Sequence, residues 1–176
     1  MHLFGPAALT RAVLPHMRAR RSGAIVQMSS VGGQMSFAGF SAYSATKFAL
    51  EGMSEALAAE VGPLGITVLV VEPGSFRTRL FANNSASAHI EDYAETVGAT
   101  RDMVQTGDGQ QPGDPAKAAA AILTALDAEH TPLRLALGTD AVDAIFDHLE
   151  AVRADAVTWE EISRATAFTG PGTPSR

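Results

Sequence analysis

Apolar positions along this chain recur at two periods, and the alternation between the two predicts its elements. From Leu3 to Arg20, the residues Leu3, Ala7, Val13, Leu14 and Met17 fall near one another at helical spacing. The run closes on Arg18, Arg20 and Arg21, cations that suit the negative end of a helix dipole. Pro6 fits an opening turn, whereas Pro15 removes a backbone donor and predicts a kink or weakening of the last turns. Ser22-Gly23 reads as the turn that follows. Ala24 to Met28 is a short β-branched run bounded by Gly23 and by Ser29-Ser30, the pattern of a buried strand with Ser30 at its C-terminal end.

Gly32, Gly33 and Gly39 then mark a loop, and residues 41–61 read as a long helix stopped by Gly62-Pro63-Leu64-Gly65. Ile66 to Val71 is an unbroken β-branched and leucine run that needs cover on both faces, ended by Pro73-Gly74. Residues 75–113 are polar and irregular, with a helix expected near Ile90 to Val104. A connection of that length inside a domain reads as a functional lid or a mobile substrate loop. Asp114-Pro115 combines an N-cap with an N1 proline and opens a helix to about Ala128. Leu133 to Leu137 predicts a third strand, Thr139 or Asp140 starts another helix, and Thr158-Trp159-Glu160-Glu161 matches a capping box. Strand, helix, strand, helix, strand, helix is the order of the α/β class, a doubly wound parallel sheet with right-handed crossovers. Residues 1–169 are expected to form a single domain of this kind, a partial Rossmann-type fold, and 170–176 a disordered tail.

Composition narrows the functional classes. With 176 residues, 46% of them hydrophobic, the chain buries one sizeable core. A net charge of -6 with mixed signs offers no basic patch, so neither nucleic acid nor a membrane surface is expected as partner. No stretch approaches the roughly 20 apolar residues of a membrane span, and a cytoplasmic location is the default expectation. There is no cysteine, which removes disulfides and thiolate metal sites. The five histidines show no ligand spacing, so no metal is assigned.

Chemistry concentrates in one stretch. Tyr43-Ser44-Ala45-Thr46-Lys47 sets a phenol and an ammonium four residues apart, on one face of a helix. A free phenol titrates near pH 10 and is a poor acid-base catalyst at neutrality; a neighbouring ammonium favours its ionised form. Ser30, at the adjoining strand end, is placed to hydrogen-bond the same substrate oxygen. A proton relay beside a carbonyl needs a hydride carrier, and no side chain supplies one. Taken singly, each feature has a bland reading: Tyr-x-x-x-Lys pairs arise by chance on surfaces, serines end strands on local backbone bonds, and Pro-Gly is an ordinary turn.

In order and spacing, however, residues 23–78 resemble the short-chain dehydrogenase/reductase family. The resemblance rests on Met28-Ser29-Ser30, on Tyr43-Ser44-Ala45-Thr46-Lys47 thirteen residues after Ser30, and on Pro73-Gly74-Ser75-Phe76-Arg77-Thr78 after the next strand. It implies an oxidoreductase that uses NAD or NADP to interconvert a small-molecule carbonyl and a secondary alcohol. Ser30, Tyr43 and Lys47 would be catalytic, with Tyr43 as general acid/base and Lys47 also holding the nicotinamide ribose. Pro73 and Gly74 would shape the nicotinamide side of the pocket, the Phe76 backbone would meet the carboxamide, and Thr78 would reach the cofactor. In this family, the helices matched by 3–20 and 41–61 build a homo-oligomer interface. Substrate choice is expected in residues 75–113, with Phe76, Leu80, Phe81 and Met103 as candidates for an apolar pocket.

The chain also departs from the family. The glycine-rich turn that cradles the cofactor pyrophosphate belongs ahead of the residues seen here; Gly107-Asp108-Gly109-Gln110-Gln111-Pro112 begins like it but ends in proline and follows no strand. The resemblance therefore implies that the chain starts at the helix before the serine strand. His2 stands where the family has an asparagine that helps hold a relay water. Two alternatives follow: a truncated non-catalytic fragment or pseudoenzyme unable to bind the dinucleotide alone, and an epimerase or dehydratase using the same pair, which the Pro-Gly-x-x-x-Thr segment disfavours.

Overall fold

A computed structural model of the chain describes residues 2–83 and 88–168. The 170–176 tail expected from the sequence lies outside the described residues. Two compact units are present, Met1–Ile145 and Phe146–Arg176.

The first unit is built on three parallel strands, β1 (Gly23–Met28), β2 (Ile66–Pro73) and β3 (Arg134–Leu137), in the order β1-β2-β3. β1 pairs with β2 from Gly23 opposite Ile66 to Met28 opposite Val71, and β3 pairs with the last four residues of β2. Alternate side chains of β2 serve opposite faces, as the strand period requires. Ile66 and Val68 pack with Ile25, with Leu57 and Val61 of α2 (Ser41–Val61) and with Leu14 and Met17 of α1 (Phe4–Arg20). Leu69 and Val71 turn the other way, into a cluster with Leu137 and the Ala118, Ala121, Ile122 and Ala125 face of α4 (Pro115–Leu126). Helices thus cover both faces, the doubly wound arrangement that the strand and helix order implies. Each fully buried Val or Leu here contributes roughly 1.5–3 kcal/mol.

Local signals account for most boundaries. Asp114 caps α4 through Ala116 N at 2.8 Å, with Pro115 at the first helical position. α2 begins and ends where the sequence places it. Pro15 is accommodated inside α1 without ending it, and Arg21, not Gly23, takes the left-handed conformation at its C-terminus (φ 51°). α1 buries little of itself, but Thr10 receives a hydrogen bond from the buried Gln27 amide at 3.1 Å, tying the helix to β1. Between β2 and α4 runs the long connection, which contains α3 (Ala94–Thr106) preceded by a turn of 3-10 helix at Glu91–Tyr93.

α5 (Thr139–Thr158) starts in the first unit, where Ala141 and Ile145 are buried. In the second unit, α5 is followed by α6 (Glu160–Arg164), with an exposed Glu160–Arg164 ion pair one turn apart. The expected capping box is not made: Thr158 bonds back to Ala154 O at 2.9 Å, and α6 has Trp159 at its N-cap. A hydroxyl within reach of the preceding turn's carbonyl prefers it to starting a new helix. No helix among the described residues is long and apolar enough to cross a membrane.

Candidate active site

β1 delivers Ser30 in extended backbone (φ -174°) as the N-cap of a single 3-10 turn, Val31–Gly33, whose Gly32 N–H donates to Ser30 Oγ at 3.1 Å. α2 delivers Tyr43 in its first turn and Lys47 one turn later. Gly32 joins the two elements. A Cβ there would sit 3.0 Å from Tyr43 Cε1 and 3.5 Å from Ser30 Oγ, so the phenol ring and the serine hydroxyl both border this residue. A side chain at position 32 would wedge them apart.

Lys47 is buried, and its Nζ donates to the Met28 carbonyl at 2.8 Å while lying 5.6 Å from the centre of the Tyr43 ring. Burial disfavours the ammonium and pushes the Lys47 pKa down; Glu51, one turn further along α2, opposes this. Phe40 and His2 each meet the Tyr43 ring edge-on at 5.8 Å, holding it from two sides. Contact with the protein lowers the His2 pKa, and the Lys47 ammonium adds to the effect. A neutral imidazole beside Tyr43 retains one donor and one acceptor nitrogen.

The β2 exit lies alongside. Pro73 ends the strand, and Gly74 N donates to Leu137 O at 2.9 Å. Gly74 is sealed by Asp140, whose carboxylate would lie about 2.4–2.5 Å from any Cβ there and accepts from Ser75 N at 2.7 Å. The Phe76 side chain turns into the cluster beneath α4, and its carbonyl accepts from Thr78 N at 2.8 Å. Thr78 is exposed, its hydroxyl accepting from Leu80 N at 3.3 Å. The structure thus gathers Ser30, Tyr43 and Lys47 around one glycine, places Pro73 and Gly74 at the end of the adjacent strand, and leaves Thr78 on the outer turn.

A cleft of about 440 Å³ opens between the start of α2 and α3, walled by Phe40, Tyr43, Ile90, Tyr93, Val97 and Val104. The four apolar residues expected to line it are elsewhere: Phe76 faces α4, Phe81 packs on Gly107, and Leu80 and Met103 are exposed. Tyr93, at the N-cap of α3, and Val97 and Val104 within it recur at helical spacing and so share one face. His2, read from the sequence in the place of the relay asparagine, does meet the Tyr43 ring; Phe40 and Asp140 were given no place in the site, because each acts on a neighbour that only the fold brings near.

Comparison with known proteins bears on this geometry. Residues 1–89 match the sequence model of a family described as short chain dehydrogenase. The oxidoreductase BOA17 of Botryotinia fuckeliana is 37% identical over 167 residues, which is 94% of this chain and 61% of that protein. A short-chain dehydrogenase from Streptomyces avermitilis superposes with a TM-score of 0.88 at 63% identity, over 96% of this chain and 61% of its own. A short chain dehydrogenase from Burkholderia cenocepacia, solved in complex with NADP, shares the fold at a TM-score of 0.63 and 23% identity, over 88% of this chain and 55% of its own. The chain therefore spans about three-fifths or less of the length of these relatives.

Proposed function

The chain belongs to the short-chain dehydrogenase family, and on that premise we propose that it forms the catalytic and substrate-binding part of a cytoplasmic NAD(P)-dependent oxidoreductase interconverting a carbonyl and a secondary alcohol. The observation that carries the proposal is the convergence of Ser30 and Tyr43 on Gly32, with Lys47 buried behind the phenol ring.

The residues present suit the nicotinamide-ribose end of the cofactor: a buried ammonium, a phenol and a hydroxyl beside the carboxyl ends of β1 and β2, where open α/β sheets take dinucleotides. NAD or NADP bound there would supply or accept the hydride. Lys47, anchored on Met28 O, would hold the ribose hydroxyls; Pro73, Gly74, the Phe76 backbone and Thr78 would form the nicotinamide side. In the reducing direction, Ser30 Oγ donates to the carbonyl oxygen and Tyr43 Oη gives its proton to the developing alkoxide; in oxidation, Tyr43 takes the proton back. The Lys47 ammonium steadies the phenolate left behind. The cleft walled by Phe40, Tyr93 and Val97 excludes water from one side and suits an apolar body next to the reacting carbon.

The decisive experiment replaces the matching segment of the Streptomyces avermitilis relative with this chain and follows nicotinamide absorbance with simple ketones and aldehydes. Tyr43→Phe is expected to lower kcat about 10²–10⁴-fold with the fold intact; an unchanged rate removes Tyr43 from its role. The rival reading is that these 176 residues on their own do not hold the dinucleotide. Titration of the 176-residue chain with NADH and NADPH separates the readings, because tight binding by the chain alone excludes the second. Self-association through α1 and α2 belongs to the same proposal, supported by Phe4, Leu9, Val13 and Phe48 standing exposed on those helices. Sedimentation at micromolar concentration tests it, and a monomer defeats it.

A further inference from the structure

Beneath the catalytic turn lies a charged cluster that the proposed chemistry does not use. Glu72, the penultimate residue of β2, is 2% exposed, and Glu51 of α2 is 4% exposed. The two carboxyls meet at one guanidinium. Arg134 of β3 serves both, with Nε 3.1 Å from Glu51 Oε2 and 3.5 Å from Glu72 Oε1, while its Nη2 reaches the exposed Glu55 at 2.5 Å. The second Glu51 oxygen, Oε1, is buried without a hydrogen-bond partner in the structure. Arg134 is shared with Glu55 and Lys47 lies one turn from Glu51, so burial more than charge balance favours the protonated form of Glu72.

The cluster is attached to the catalytic turn at two points. Gln34, which caps the Val31–Gly33 turn, donates its side-chain amide to Glu72 Oε1 at 2.7 Å. Gly33 lies flat on Glu51: a Cβ there would fall 2.9 Å from Glu51 Cγ and 2.6 Å from Ser29 Oγ. Gly33 N in turn donates to the Ser30 carbonyl at 2.8 Å. Lys47 stands one turn before Glu51 on the same helix and interacts with it electrostatically.

We propose that Glu51 and Glu72, with Arg134, are positioning residues: a buried carboxyl pair on which the Ser30–Gln34 turn is seated, so that loss of the Glu72 proton shifts that turn and strengthens the charge on Lys47. The groups facing the pair are Gln34 from the catalytic turn, Lys47 and Glu55 from α2, and Arg134 from β3. Burial is the main force holding the Glu72 proton, with the Glu51 charge acting in the same direction and Gln34 and Arg134 against it; the Glu72 pKa is pushed up to about 7. Ionisation of Glu72 therefore falls in the neutral range and places an extra negative charge beside Gln34. The consequence for catalysis rests on the assignment of Ser30, whereas the coupling itself does not.

The test uses the 176-residue chain without cofactor or substrate, so its failure is distinguishable from failure of the oxidoreductase reading. The Gly33 backbone amide and the Gln34 side-chain amide are followed by NMR from pH 5 to 9, alongside the infrared band of a protonated buried carboxyl. The expected result is one shared midpoint near neutrality in all three signals. Glu72→Gln should abolish that step, with its amide shifts frozen near the wild-type low-pH positions, and Glu51→Gln should move its midpoint down. If the wild-type amides move only with ordinary carboxylates near pH 4, or if either variant that folds titrates like the wild type, the proposal is overturned. The wild-type titration decides the matter even where a variant fails to fold.

Discussion

β1 and β2 lie side by side in parallel register and are similarly apolar, yet they live in different environments. From Val68 to Glu72 every residue of β2 is buried, and only Thr67 and Pro73 are partly open along the strand. In β1 only Ile25 and Gln27 are buried, while Ala24, Val26 and Met28 are exposed, Val26 at 39% and Met28 at 53%. The difference is position and not composition: β2 has a strand on each side and helices above and below, whereas β1 is the edge of the described sheet. Parallel strands are normally covered on both faces, so the outer face of β1 carries side chains of a kind suited to cover. The candidate site bridges the two, with Ser30 hung from the edge strand and Pro73-Gly74 from the central one.

That contrast breaks if the two strands respond alike to truncation. Leu69→Ala, at a fully buried position of β2, is expected to cost about 3 kcal/mol by denaturant unfolding, within the usual 2–5 kcal/mol range. The next effect belongs to the end of β2 and is read in pH. Folded Glu72 keeps its proton up to about pH 7, and a free glutamate releases it near 4.5, so the folded chain binds more protons between those values. Stability from this group is complete below pH 4.5 and is lost as pH rises through 7, by up to about 3 kcal/mol. Glu72→Gln should flatten that slope. Gly33→Ala sharpens the comparison at the turn after β1: with Ser29 Oγ and Glu51 Cγ inside contact distance, overpacking should cost about 1–3 kcal/mol. Met28→Ala, on the open face of β1, is expected to change stability by about 0.5 kcal/mol or less. A large loss there would mean that the outer face of β1 is covered in solution.

Much of the architecture was legible because it rests on local rules. The β-branched runs, the Asp114-Pro115 start of α4 and the glycine-proline stop after α2 each encode a boundary within a few residues. Where local signals competed, the reading failed: Thr158 found a carbonyl four residues back and did not cap α6. The walls of the cleft were less legible: Leu80 lies in an irregular stretch with no period from which to infer a side, and Tyr93, Val97 and Val104 meet Phe40 and Tyr43 in one cleft only through the packing of α3 beside the start of α2.

What this sequence determined by itself was the pairing of Tyr43 with Lys47 and the placing of Ser30 at a strand end, because helical spacing and strand punctuation act over a few residues. What only the tertiary structure decided was everything that depends on which strands are neighbours. Gly32 between Ser30 and Tyr43 follows from the fold of the turn onto α2; the exposure of Met28 follows from the edge position of β1. The seat of Glu51, Glu72 and Arg134 under the Ser30–Gln34 turn is the furthest case, with residues from α2, β2 and β3 meeting across as many as 83 positions of chain. Like-charged residues carry no periodic signal announcing that they will be buried together, and only the packing of a helix over two parallel strands brings them to one guanidinium.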